Sequence, residues 1–150
     1  MNNAVMFGKA SDEWSTPQDF FDQLNTEFAF QIDAAATAQN TKCGLWWEDA
    51  LTATDWAIGP NTRVWLNPPY SQGKAFVARA KQEAKKGCLV VCLIPSRTDT
   101  RMWHEHIWDN QQHQPRAGVE VRFVKGRLRF GGSANSAPFP SVVVIFRPPA

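Results

Sequence analysis

Apolar residues along this chain fall into unbroken runs, short alternations and helical stripes, each predicting a different element. Cys88-Leu89-Val90-Val91-Cys92-Leu93-Ile94 is continuous, as in a strand covered on both faces of a sheet, and Pro95 ends it. Ser141–Arg147 is a second such run, rich in β-branched residues. Arg63-Val64-Trp65-Leu66 reads as a short buried strand. Phe28-Ala29-Phe30-Gln31-Ile32 alternates as a strand ending at Asp33, and Leu45-Trp46-Trp47 reads as another. Helical spacing appears in Phe20, Phe21 and Leu24, a stripe running to about Glu27. Thr16-Pro17-Gln18-Asp19 predicts its start, with Thr16 as cap, Pro17 as first helical residue and Asp19 completing a capping box. Phe76, Ala80 and Ala84 share one face of a helix over about 72–86, which Gly87 stops. A third helix is expected from about Asp99 to Asp109, followed by a polar loop, Gln111–Pro115. Val119–Val124 and Arg127–Phe130, joined by Lys125-Gly126, predict a β-hairpin, and Gly131–Pro140 is a small-residue loop.

Helices alternating with strands, closed by a hairpin, predict an α/β fold with a mostly parallel sheet and an antiparallel C-terminal end. Residues 34–62 are too few for two further strands with their helices, so one sheet edge is expected to be trimmed. At 150 residues the chain is expected to form one domain, 14–150, behind a flexible N-terminus, 1–13. No stretch approaches the ~20 apolar residues of a membrane span, and Met1-Asn2-Asn3-Ala4 begins no signal-peptide pattern. A cytoplasmic protein is expected. The three cysteines agree with that: Cys88 and Cys92 share one strand face too far apart to bridge, and Cys43 has no obvious mate. His104 and His106 diverge on a predicted helix, and no metal site is expected.

Charge is unevenly spread. Before Arg63 there are two basic and nine acidic residues, a net of −7; from Arg63 onward there are fourteen and five, a net of +9. Such asymmetry suits a protein that holds a cationic small molecule in one part and a polyanion with the other.

Asn67-Pro68-Pro69-Tyr70 carries the most chemistry. The prolines fix φ near −65° and lack N–H donors, and Pro68 pushes Asn67 toward extended geometry. The corner is thus a stiff ledge of acceptors, the Asn67 side-chain oxygen and nearby carbonyls, with an aromatic ring beside it. It stands at the carboxyl end of a strand, where open α/β sheets bind ligands. A planar amine that must surrender hydrogen bonds while its ring is stacked fits this ledge, and adenine N6 is such an amine.

Several segments then match one family in order: Thr16-Pro17 with Phe20-Phe21, Ile32-Asp33 with Ala35-Ala36, Asp49-Ala50-Leu51, and Val64 to Ser71. Leu93-Ile94-Pro95 with Thr98, Thr100 and Trp103, then Lys125-Gly126-Arg127-Leu128-Arg129-Phe130, then Ala137-Pro138-Phe139-Pro140-Ser141, complete the series. From about residue 12 to 147 the chain resembles the small phage and prophage DNA N-6-adenine methyltransferases (Dam-like). The resemblance implies a Rossmann-like methyltransferase fold, S-adenosylmethionine as donor and adenine N6 in double-stranded DNA as acceptor, in a bacterial host cytoplasm. It implies catalytic roles for Asn67, Pro68, Pro69 and Tyr70, with the Asn67 side chain and Pro68 carbonyl accepting from N6. Donor binding is implied for Thr16, Pro17, Asp33, Ala34 and Asp49. Arg97, Lys125, Arg127 and Arg129 are the DNA candidates, Arg127 and Arg129 by alternation on one strand face.

The chain departs from the family in one respect: Asp33-Ala34-Ala35-Ala36 stands where a glycine-rich loop is expected. No separate target-recognition domain is visible, which leaves sequence reading to short loops, 96–103 and 131–140. Two other readings stay open. One is an NPPY methyltransferase acting on RNA or protein glutamine. The other is a catalytically inactive DNA-binding module of the same fold.

Overall fold

The computed structural model describes residues 15–130 and 137–150. The expected flexible stretch 1–13 and residues 131–136 of the small-residue loop lie outside them. Helix α1 is Gln18–Phe28, followed by β1 (Ile32–Asp33), β2 (Leu45–Trp46) and β3 (Arg63–Leu66). A 3₁₀ turn, Tyr70–Gln72, leads into α2 (Gly73–Lys85) and β4 (Leu89–Pro95). Then come α3 (Arg101–His106), β5 (Trp108–Asp109), β6 (Gln114–Pro115), β7 (Val119–Phe123) and β8 (Ser141–Phe146).

Among the described residues, one sheet has the order β2-β1-β3-β4-β8-β7, and β5 and β6 form a separate small ribbon. The strands from β2 to β4 are parallel, whereas β8 is antiparallel to both β4 and β7. From β1 the chain steps outward to β2, then returns past β1 to β3 on its other side. The strand order therefore reverses between β1 and β3, which opens a crevice at their carboxyl ends.

Side-chain alternation splits the core into two layers. Val64, Leu66, Val90, Cys92, Ile94, Val142, Val144 and Phe146 pack with Phe76, Val77, Ala80 and Ala84 of α2. Trp65, Val91, Leu93, Val143 and Ile145 pack on the opposite face with Phe21 and Phe28 of α1 and with Phe130 and Ala137. Val91 and Ile145 are fully buried, and truncating such a residue to alanine costs about 2–5 kcal/mol. Cys88 and Cys92 are free thiols in the α2 layer. No helix among the described residues is long and apolar enough to cross a membrane.

The long buried elements follow the pattern of the sequence, and the corrections fall where local chemistry intervenes. Helix α1 begins after Pro17 and carries no side-chain cap; the Thr16 hydroxyl bonds to Asn67 instead. The strand expected from Phe28 shrinks to Ile32–Asp33, because Ala29 adopts φ 51° and its N–H donates to the Asn25 carbonyl at 2.8 Å. The Asn25 side chain then accepts the Phe30 N–H. The third helix is only six residues long. Past it Asp109 accepts the N–H groups of Gln111 and Gln112, turning the expected polar loop into the β5–β6 ribbon.

The C-terminal antiparallel hairpin forms with a different second strand than expected: β7 pairs with β8, and residues 124–130 contain no strand. Gly126, at φ 73°, turns the chain away, and the Leu128 carbonyl accepts the Ala137 N–H. The alternation argued for Arg127 and Arg129 therefore has no strand to act on. The connections 34–44 and 47–62 hold no helix, so the sheet edge at β2 is trimmed as expected.

Candidate active site

A cavity of about 240 Å³ opens at the reversal point between β1 and β3. Register places its walls. Asp33, the end of β1, is level with Trp65 of β3 and Trp46 of β2. Trp65 lines the cavity, as does Asn67 two residues further along. Glu48 lines it from two residues past the end of β2, and Gln72 and Phe76 close the α2 side. Ser15 and Thr16 lie before α1, and Thr37, Asn40 and Lys42 form the rim between β1 and β2.

Asp33 is 3% exposed. Its Oδ1 accepts the Ala35 N–H at 3.2 Å and its Oδ2 accepts the Lys42 N–H at 3.0 Å. Burial pushes its carboxyl up to about 6, against the opposing pull of those two bonds and the Lys42 charge. A buried carboxylate facing a cavity gains from a cation that restores its charged form. Beyond this carboxylate the Ala34 N–H donates to the Trp65 carbonyl at 2.9 Å, while Ala35 and Ala36 line the cavity.

The Asn67 corner is open to the cavity, since Asn67 and Pro69 both line it. The Pro69 carbonyl accepts the Gln72 N–H at 3.0 Å, which closes the 3₁₀ turn. The Asn67 amide nitrogen donates to the Thr16 hydroxyl at 3.0 Å. Pro68 is buried and Tyr70 is half-buried. Burial raises the Tyr70 phenol pKa, and the nearby Arg97 charge opposes that rise. The Tyr70 ring meets Phe139 at 4.9 Å, and Phe139 lies 6.0 Å from Phe130.

Of the residues expected to bind a donor, Thr16 and Asp33 line the cavity. Pro17, Ala34 and Asp49 do not: Ala34 is sealed in the core, and Asp49 is exposed on a turn whose neighbour Glu48 reaches in instead. Sequence reasoning did not single out Glu48, because no periodicity exists in this irregular segment. It also passed over Lys42, which lines the cavity and whose Nζ donates to Gln18 Oε1 at 2.9 Å. Arg97, Lys125, Arg127 and Arg129 are all exposed.

The loop from Ala50 to Trp56 is held by a buried knot. Glu83, 1% exposed, accepts the Trp56 N–H at 2.9 Å and pairs with Arg79 at 2.8 Å and Lys86 at 2.9 Å. Arg79 also donates to the carbonyls of Leu51, Ala53 and Thr54. Burial alone would raise the Glu83 pKa, but these donors outweigh it and hold the carboxyl below its ordinary value.

A mixed α/β sheet, mostly parallel with an antiparallel end and a polar cavity at its reversal point, is compatible with a methyltransferase fold. Residues 5–149 match the family described as DNA N-6-adenine-methyltransferase (Dam). The chain belongs to that family, as its motifs indicated. It is 30% identical over 95 residues to the DNA N-6-adenine-methyltransferase of Escherichia phage T1. That match covers 63% of this chain and 40% of the phage protein, so the chain spans less than half of its relative's length.

Proposed function

We propose that this chain transfers a methyl group from S-adenosylmethionine to the N6 amine of an adenine flipped out of double-stranded DNA. The observation that carries the reading is a shared opening: Asn67 and the buried Asp33 line one cavity at the reversal point of the sheet. Family membership and the name of the phage T1 relative support it.

The donor set fits S-adenosylmethionine. Asp33 offers a carboxylate with a raised pKa to a cationic methionyl group, and Glu48, beyond β2, offers a second to ribose hydroxyls. When bound, the donor supplies an electrophilic methyl carbon on a sulfonium sulfur.

The chain's own residues act on the acceptor. Adenine N6 is a poor nucleophile because its lone pair is delocalised into the ring. Accepting its two protons, at Asn67 Oδ1 and the Pro68 carbonyl, favours a pyramidal nitrogen with a localised pair. The stiff Pro68-Pro69 corner sets this geometry in advance, so the contribution is positioning and fixed acceptor dipoles. Tyr70 offers its ring to the extruded base, a contact worth roughly 1–3 kcal/mol against an unstacking cost of a few kcal/mol. Arg97, Lys125, Arg127 and Arg129 face the DNA backbone, and the loop 96–103 faces the groove.

Methylation-sensitive long-read sequencing of DNA exposed to the purified chain tests this reading. N6-methyladenine in a defined context supports it. In parallel incubations with labelled S-adenosylmethionine, transfer only to RNA or to protein glutamine would overturn the acceptor assignment. Donor binding without any transfer would favour an inactive DNA-binding module.

A further inference from the structure

We infer that Thr16 is a positioning residue whose hydroxyl holds the Asn67 amide in the orientation that turns its carbonyl oxygen toward the acceptor amine; the inference rests on the methyl-transfer reading above. An asparagine amide has two ends of similar size and opposite character, an oxygen that only accepts and an NH2 that only donates. A half-turn about the last torsion exchanges them. With the oxygen forward, Asn67 draws a proton of an amine toward itself. With the nitrogen forward, it sets N–H against N–H and the ledge fails.

Two packing features favour one half-turn. The Asn67 Nδ2 donates to Thr16 Oγ1 at 3.0 Å, across 51 residues of chain, and Thr16 is 4% exposed. The height of Thr16 is itself pinned, because α1 starts at the next turn and is locked onto β3. The Phe21 N–H donates to the Pro17 carbonyl at 3.1 Å, and the Phe21 ring meets Trp65 edge-on at 5.3 Å. Trp65 lies in β3, which ends at Leu66, directly before Asn67. Thr16 thus faces the corner from a rigid mount.

The local chemistry of Thr16 makes the bond more telling. A threonine directly before Pro-x-Asp ordinarily caps its helix, a role worth about 1 kcal/mol. Here α1 has no side-chain cap, and the hydroxyl is turned to Asn67 instead. The chain forgoes a cap and gains an oriented amide.

A hydroxyl can donate as well as accept, so the test must separate orientation from mere proximity. Thr16→Val keeps the shape and removes the oxygen. It is expected to lower kcat by about tenfold to a hundredfold, as one lost hydrogen bond in the reacting geometry does. The Kd for S-adenosylmethionine is expected to stay within about threefold, and Thr16→Ser to restore kcat. Asn67→Asp supplies the sharper control, because both oxygens of a carboxylate accept and no wrong end exists. In that background Thr16→Val is expected to change kcat by less than about threefold. Equal losses in both backgrounds would overturn the inference. A donor Kd raised about tenfold with kcat intact would make Thr16 a donor-binding residue and overturn it too.

The side-chain NH2 resonances of Asn67 in a ¹⁵N spectrum give a readout that needs no substrate. They are expected to shift in Thr16→Val and to return in Thr16→Ser, whether or not the chain methylates DNA. Resonances unmoved by the valine would show that the amide is held by something else.

Discussion

Tyr70 and Phe139 meet edge to face, their centroids 4.9 Å apart and their planes at 83°. Phe139 also leans on Phe130, which is buried at the end of the basic segment 125–130. One aromatic relay therefore ties the Asn67 corner to the exposed cations Lys125, Arg127 and Arg129.

Replacing Phe139 by alanine removes both ring contacts. At about 0.5–1.5 kcal/mol each, the expected loss of stability is about 2 kcal/mol. A fall in methyl transfer is expected with it, since Tyr70 loses its lateral support. Urea unfolding and initial rates check the two separately; lower stability with an unchanged rate would reduce Phe139 to packing.

Asp33 links the cavity to pH. Its carboxyl lies near 6 in the fold against an ordinary 3.8, because it is buried. Between those values the folded chain holds a proton that the unfolded chain has released. Stability should therefore fall as pH rises from about 4 to about 6, by about 3 kcal/mol, and then level off. A cationic donor favours the ionised form, so its binding should release a proton and weaken as pH drops below about 6. Urea unfolding across this range and calorimetry in buffers of different ionisation heat measure both effects, and Asp33→Asn should flatten them.

Arg127 and Arg129 are assigned to phosphates on exposure and placement alone, since no strand aligns them. Changing both to alanine should reduce the salt slope of DNA affinity by about 2, near one per phosphate contact. An unchanged slope would remove them from the DNA face.

Glu83→Gln should loosen the loop from Ala50 to Trp56 that carries Glu48 to the cavity. Removing one partner of a buried ion pair costs about 3–5 kcal/mol, and here about 2 is expected because Lys86 is half exposed. The depressed Glu83 pKa means that this stability is present above about pH 4 and lost as pH falls through the folded value. Denaturant midpoints at pH 7 and pH 3 measure the difference, from which the Glu83 contribution should be missing in the variant while that of Asp33 remains.

The readable parts of this fold were those where burial dominates. The β4 and β8 strands are covered on both faces, so their apolar runs needed no partner to be recognised. The Asn67 corner was readable because two prolines leave its backbone few alternatives. The partner strand of the hairpin was misplaced for a related reason. Val119–Phe123 and Arg127–Phe130 both alternate, but the first pairs with a strand almost twenty residues further on. Alternation reports a half-buried edge and says nothing of which neighbour it joins. The Thr16 cap failed because a distant amide claimed the hydroxyl, and Glu48 was missed because its segment has no period to read.

Mass spectrometry of nucleosides from duplex DNA incubated with labelled S-adenosylmethionine decides the matter, with the native chain and Asn67→Ala run side by side. The native chain should place label on N6-methyladenine; the variant should place none while binding the donor within a few fold of the native affinity. Label on N6-methyladenine at the native rate from the variant, or none from a native chain that binds both donor and DNA, would contradict the role given to this corner.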